Sequence, residues 1–197
     1  MTCITQAPTC RSSLQRERQS GGTDAPQTSL RDMQCPIARS LERVGESWSM
    51  LILRDALLGL TRFDQFQESL GIAPNILTRR LKALVETGLL ERRRYSGRPP
   101  RYEYVLTQAG RDFRSVLWAF IAWGNKHFAP EGPSVVIVDS KTGATADPVL
   151  VDRVSGRPLA PPDFCSAPGP AASAQTRHRH PAAPETRRSS ASNPSRP

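Results

Sequence analysis

The sequence has few cysteines, and their spacing does not match a metal site. Among 197 residues there are four cysteines and three histidines. The cysteines are Cys3, Cys10, Cys35 and Cys165. None forms a Cys-x-x-Cys pair and no histidine follows at a zinc-finger spacing, so the sequence predicts neither a metal nor another cofactor. Scattered thiols are typical of a reducing compartment.

Long hydrophobic runs and catalytic patterns are also missing. No apolar run approaches the roughly 18 residues of a membrane-spanning helix, and the start of the chain has no hydrophobic signal core. There is no phosphate-binding glycine loop, and His127 is the only histidine outside the tails. We therefore expect a soluble, cytoplasmic protein, associated with the nucleoid, that contacts no membrane and is not an enzyme.

Two parts of the chain are poor in the residues that build a core. Residues 1–34 are rich in Ser, Thr, Gln and Arg, and nine of the eighteen prolines lie at or beyond Pro158. Such segments bury too little apolar surface to offset the entropy of ordering. We predict a disordered extension over 1–34 and a disordered Pro-, Ala- and Arg-rich tail over 159–197, on either side of a folded domain at 35–130. The apolar runs 135–138 and 149–151 predict a small appended β-hairpin within 131–158.

Apolar residues recur every three or four positions in five places, which predicts a mainly α domain. The first four helices are expected at 37–44, 51–58 with Ser47 as N-cap, 63–70, and 77–87. After Gly88 the period becomes extended, and two segments, 89–95 and 102–106, flank a basic tip, which predicts a small β wing. Thr107 is then expected to cap one long helix that ends near Pro130.

Positive charge is concentrated in one stretch of the chain. The formal net charge is +9, and eight basic residues but only two acidic ones lie between Arg79 and Arg101. Clustered Lys and Arg favour a polyanion because they release the counterions condensed on its phosphates. The pattern therefore indicates double-stranded DNA as the partner.

The third and fourth helices, joined by a turn of about four residues, have the order of a helix-turn-helix, whose second helix enters the major groove. If Leu77, Leu81 and Leu84 face the core, the opposite face is polar and basic. Asn pairs with adenine and Arg with guanine, each pair contributing about 1–3 kcal/mol of discrimination. An ordinary solvated face would have similar residues, but the preceding turn and the basic wing favour DNA. The predicted DNA contacts are Asn75, Thr78, Arg79, Arg80, Lys82, Arg94, Arg98 and Arg101.

A series of motifs resembles the HxlR-type regulators, relatives of the MarR group. These motifs are Cys35-Pro36, SWSMLILRDAL, RFDQF, NILTRRLKALVETGLLERR and PPRYEYVLTQAG, which together cover about residues 35–128. The resemblance implies a winged helix-turn-helix fold, operator binding as repressor or activator, and a homodimer formed largely through the terminal helices. It places the recognition helix at 75–87 and the wing at 89–106. Since many members begin just before the Cys-Pro pair, it also makes Met33 an alternative start.

Two further predictions concern assembly and signalling. The apolar stripe Phe113, Leu117, Phe120 and Ile121 exceeds what one small domain needs, so we expect it to contact a second subunit. Cys35 lies where some relatives of this family have a redox-sensing thiol, and the alternative is an inert, partly buried cysteine. We expect the regulatory signal to be either an oxidant or a small molecule.

The competing function is a winged-helix module that binds proteins without reading DNA. Such a module has no need for Arg79, Lys82, Arg94 and Arg98 to converge on one surface. Its affinity for a partner would also depend less steeply on salt.

Overall fold

The computed structural model describes Leu30, Met33 and residues 35–180, so most of the predicted N-terminal extension and the last part of the tail lie outside the described residues. The elements are α1 (Pro36–Val44), α2 (Ser47–Leu57), α3 (Phe63–Leu70), α4 (Pro74–Glu86), β1 (Leu90–Gly97), β2 (Pro100–Leu106), α5 (Gln108–Asp112), α6 (Arg114–Phe128) and α7 (Ala174–Arg179). This order confirms the predicted mainly α winged helix-turn-helix class. Among the described residues, no helix combines the length and apolar character needed to cross a membrane.

The hydrophobic core lies between α2, α3 and α4. Its fully buried side chains are Ile52, Leu53, Phe66, Leu77, Leu81, Leu84 and Leu90. Helix α2 is central because it contacts both α3 and α4 as well as α6 and β2. Apolar spacing along α4 therefore predicted its buried face correctly.

A buried carboxylate links α2 to α3. The Asp55 side chain is 2% exposed. It accepts hydrogen bonds from Ser69 Oγ at 2.7 Å and from Arg54 Nε at 2.8 Å. Burying even a neutral polar group without a hydrogen-bond partner costs on the order of 2–7 kcal/mol. Burying a charge costs several kcal/mol, so it needs such partners. The hydrogen bond from Ser69 joins α3 to the central helix, whereas Arg54 and Asp55 both lie on α2.

The turn between α3 and α4 is short because Gly71 reverses the chain in a left-handed conformation, with φ 59°. Its N–H donates to Gln67 O at 3.0 Å and closes the last turn of α3. Ile72 is 4% exposed and packs into the core. Pro74 then starts α4, a position that needs no N–H donor. Together these residues fix where α4 begins relative to α3.

The wing is an antiparallel pair in which Leu90 lies opposite Leu106, with a bulge between Arg94 and Ser96. Tyr104 N donates to Thr61 O at 2.7 Å, so the hairpin is attached to the segment just before α3. At its base, Thr107 Oγ1 donates to Gly88 O at 2.7 Å. The wing is therefore fixed to the same body as α4.

The predicted N-cap of α2 and the single long helix predicted after Thr107 were both wrong. Helix α2 begins at Ser47 itself, and Glu46 occupies the N-cap position. The single long helix expected after Thr107 is two helices that meet at Phe113, although Thr107 does cap the first by accepting from Gly110 N at 3.2 Å. Helix α5 contacts β2 at the base of the wing and α6 contacts α2, so the two helices pack against different elements.

The segment after α6 holds two short hairpins, whereas pairing between 135–138 and 149–151 was predicted. Val138 bridges Thr145, and Val151 bridges Pro158. The two units repeat at a spacing of thirteen residues, since each contains Val-Asp followed by a glycine four positions after the aspartate. Each apolar strand therefore pairs with the residues just after its own turn.

The aspartates explain this local pairing. Asp139 Oδ1 accepts the N–H groups of Lys141 and Thr142, at 2.7 and 3.0 Å. The Asp152 carboxylate accepts from the hydroxyl and the N–H of Ser155. These hydrogen bonds hold the pKa of both carboxyls below their usual value. Each turn is then completed by a glycine with positive φ, 72° at 143 and 69° at 156, so the chain reverses before the two valine runs can meet.

The predicted C-terminal tail is described only as far as His180. There it contains α7, a helix of six residues in which no side chain is buried. The disorder of 159–197 and the domain boundaries stay predictions.

Replacing Leu81 with alanine should lower the free energy of unfolding by about 2–5 kcal/mol, because it leaves a cavity at a fully buried site of α4. Leu58→Ala is the matched control, since that side chain is 78% exposed and should change stability by no more than about 0.5 kcal/mol. Urea denaturation measures both. Equal destabilisation by the two substitutions would contradict this description of the core.

Candidate nucleic-acid interface

The outer face of α4 is polar and basic. Asn75, Thr78, Arg79 and Lys82, all predicted DNA contacts, are exposed on the side away from the buried leucines. The first turn of α4 holds no acidic residue, so no carboxylate there offsets the positive end of the helix dipole. The exposed side chains along this face can donate hydrogen bonds to phosphates or to base edges.

Hydrogen bonds within α4 leave this face open. Thr78 Oγ1 donates to Pro74 O at 2.8 Å, which orients its oxygen as an acceptor. Lys82 Nζ lies 3.7 Å from Glu86 Oε1, and both side chains are well exposed, at 75% and 62%. An exposed pair of this kind contributes about 0–1 kcal/mol, so Lys82 can exchange Glu86 for a phosphate at little cost.

Arg80 is the one predicted contact on α4 that does not lie with the others. Its side chain is 14% exposed, and its NH2 lies 2.8 Å from Glu46 Oε2. The sequence carried a signal for this placement: Arg80 follows Leu77 by three positions and precedes Leu84 by four, which puts it at the border of the buried face.

The wing arginines play different roles. Arg94 was predicted to contact DNA, but its guanidinium donates to Ser96 O at 3.0 Å and Gly97 O at 2.6 Å, which holds the tip of the hairpin together. Arg98 and Arg101 are exposed at that tip, as a phosphate contact requires. Arg94 is exposed as well as Arg98 and Arg101, so its contact with DNA stays a prediction.

Arg92 was not predicted and lies in the cleft between the wing and α4. Thr78, Lys82 and Tyr104 line the same cleft. The Arg92 guanidinium stacks 3.6 Å from the centroid of the Tyr102 ring, an arrangement that restrains the side chain. The alternation of side chains along β1 could have predicted this placement, since Arg92 is two residues before Arg94 and lies on the same face of the strand.

On the other face of β1, the charge of Arg93 is neutralised by Glu91. Arg93 NH2 lies 2.9 Å from Glu91 Oε2. The hydrogen bond and the charge of Arg93 lower the pKa of Glu91. Positive charge is therefore directed to the side of the wing that faces α4.

The four residues predicted at a dimer interface are divided by the structure. Phe113 packs against the core, whereas Leu117 and Ile121 line a concavity with Leu57, the last residue of α2, and Leu58, its C-cap. Phe120 is 48% exposed. It shares an apolar surface with Val116, Ala119 and Trp123. Only Phe120 of the predicted set belongs to that surface.

Cys35, the predicted redox residue, is the N-cap of α1 and is partly exposed, and its thiol makes no capping hydrogen bond. Among the described residues, no three His, Cys, Asp or Glu side chains form a group that could hold a metal. The exposed basic side chains of α4 and of the wing supply hydrogen-bond donors and positive charge, which suit a phosphate polymer with readable base edges.

Comparison with known proteins agrees with this geometry. Residues 43–132 match the family model described as HxlR-like helix-turn-helix. Over 135 residues the chain is 41% identical to Rv3095 of Mycobacterium tuberculosis, named an uncharacterized HTH-type transcriptional regulator, and the match covers 68% of this chain and 85% of the relative.

Two solved structures are similar as well. PA1374 of Pseudomonas aeruginosa, proposed to be a transcription factor, is 57% identical, with a TM-score of 0.56 over 74% of this chain and 99% of the other. PA1607, proposed to be a transcription factor too, is 41% identical, with a TM-score of 0.64 over 71% and 99%. On these matches, the chain belongs to the HxlR-like helix-turn-helix family of transcriptional regulators.

Proposed function

We propose that the protein binds operator DNA as a homodimer and thereby represses or activates transcription. The observation that carries this proposal is that the outer face of α4 adjoins the basic face of the wing, with Lys82 and Arg92 lining one cleft. A surface of this shape and charge fits a duplex, with α4 in the major groove and the wing beside it.

The contacts divide by chemistry. Asn75 and Arg79 lie on the part of α4 that points away from the core, and their side chains can pair with base edges. Arg98 and Arg101 at the wing tip can contact phosphates or the adjacent minor groove. We expect sequence to be read by α4 and register to be held by the wing.

A second subunit fits the exposed apolar surface of α6. Val116, Phe120 and Trp123 are 43%, 48% and 54% exposed, although all three are apolar. Phe120 and Trp123 stack edge to face, with ring centroids 6.3 Å apart. The same surface on a second copy would cover these rings in a two-fold contact, which would also set two recognition helices side by side.

The regulatory signal belongs to this proposal as well. An oxidant would act at Cys35, which lies at the start of α1 and is partly exposed. A small molecule is the other class of effector. Either signal would act by changing the affinity for the operator.

Substituting Arg79 and Arg98 separately should impair DNA binding in different ways. Arg79→Ala should cost about 1–3 kcal/mol on the operator and relax preference at one base position, because a base contact is lost. Arg98→Ala should weaken operator and random DNA about equally and reduce the salt slope by about one, because a phosphate contact is lost. Affinities of genomic fragments and random duplex across a salt series measure both effects.

The wild-type protein is the control in that series. If it prefers no fragment over random DNA, the operator proposal is wrong and the protein-binding alternative gains support. If Arg98→Ala alters base preference while Arg79→Ala leaves it intact, the assignment of helix and wing is reversed.

Phe120→Glu should convert the dimer to a monomer at micromolar concentration, because it places a charge in the middle of the apolar surface of α6. Val154→Glu is the matched control, since Val154 is 92% exposed and lies on the second hairpin. Light scattering gives the mass of each. A monomeric wild type, or a dimer that survives Phe120→Glu, would contradict the proposed interface.

A further inference from the structure

We propose that Arg80 and Glu46 form an ion pair that positions the recognition helix, so that Arg80 sets operator affinity without contacting DNA. This inference rests on the proposed DNA-binding function. Arg80 lies within α4, yet its NH2 is 2.8 Å from Glu46 Oε2, in the turn between α1 and α2. The pair therefore joins the middle of α4 to a different part of the domain.

The pair is built for geometry more than for stability. The Arg80 side chain is 14% exposed, whereas Glu46 is 62% exposed. The Nε of Arg80 is buried and has no hydrogen-bond partner within the described residues. Burying an arginine with one donor unsatisfied costs free energy, which works against any stability gained from the charge pair. The pair instead restrains the orientation of α4, since one nitrogen of Arg80 is held against one oxygen of Glu46.

Direction matters because the buried residues of α4 are all apolar. Leu77, Leu81 and Leu84 hold the helix to the core, but apolar packing is not directional and constrains rotation about the helix axis only through shape. Arg79 precedes Arg80 directly, so a rotation of α4 that released Arg80 would also move Arg79. The ion pair thus restrains rotation of α4 and so sets the direction in which its proposed base-reading face points.

The turn that presents Glu46 is itself tightly constrained. Gly45 N donates to Leu41 O at 2.6 Å, and a Cβ at position 45 would overlap that carbonyl oxygen. Glu46 follows with an extended backbone as the N-cap of α2, and its carboxylate makes no capping bond to that helix. The carboxylate is therefore left to face α4.

The test compares Arg80→Gln, Glu46→Gln and the double variant on an operator fragment and on random duplex, each across a salt series. Both single variants should lower operator affinity by about tenfold, within the range found for coupled neighbours, and the double variant should be no worse than either. The ratio of operator to random affinity should fall, and the salt slope should stay that of the wild type because no phosphate contact is lost.

Arg157→Gln is the matched control, because it breaks the Arg157–Asp163 pair far along the chain from α4 and should change none of these quantities. The proposal would be overturned if Arg80→Gln reduced the salt slope by about one and weakened binding to operator and random DNA equally, while Glu46→Gln changed neither the salt slope nor the affinities. Arg80 would then contact phosphate.

A measurement without DNA separates this proposal from the proposed function. Amide hydrogen exchange in the free protein should become faster in α4 for both glutamine variants, with no matching change in α3. If the wild type shows no preferred fragment but α4 exchange responds in this way, the ion pair holds the helix and the operator function is wrong. If α4 exchange is unchanged in both variants, the positioning role is wrong.

Discussion

The structure depends on burying one face of α4 while leaving the other in water. Leu77, Leu81 and Leu84 are fully buried against α2 and α3, which fixes where the helix lies. The same 3.6-residue period then places Asn75, Arg79 and Lys82 on the outside. Because one helix supplies both the core contact and the proposed DNA-reading surface, damage to the core would also move that surface.

The period of the sequence was sufficient to predict this helix and its neighbours. Apolar spacing predicted α1, α3 and α4 and the core face of α4, and the switch to an extended period after Gly88 predicted the wing. The break at Phe113 was missed because Phe113 fits the apolar pattern of a continuous helix. The two aspartate turns were missed because the sequence pattern does not distinguish two possible pairings. The apolar runs could pair with each other, or each could pair with the residues just after its own turn, as observed.

Charge was harder to interpret than hydrophobicity. Composition identified a basic surface, but could not say which arginines make contacts within the protein. Arg80 pairs with Glu46 and Arg94 closes the wing tip, whereas Arg92 lies in the cleft beside α4. A guanidinium has five donors and a long stem, so its partner is decided by tertiary contacts that sequence spacing does not reveal.

Hydroxyl-radical footprinting of a selected genomic fragment tests most directly whether two copies of α4 read one duplex, as we claim. We expect two protected regions related by a two-fold axis, with centres about 34 Å, or one helical turn, apart. Two patches at another whole number of turns would fit a dimer with wider spacing. A single protected patch, or uniform weak protection along the fragment, would contradict the claim.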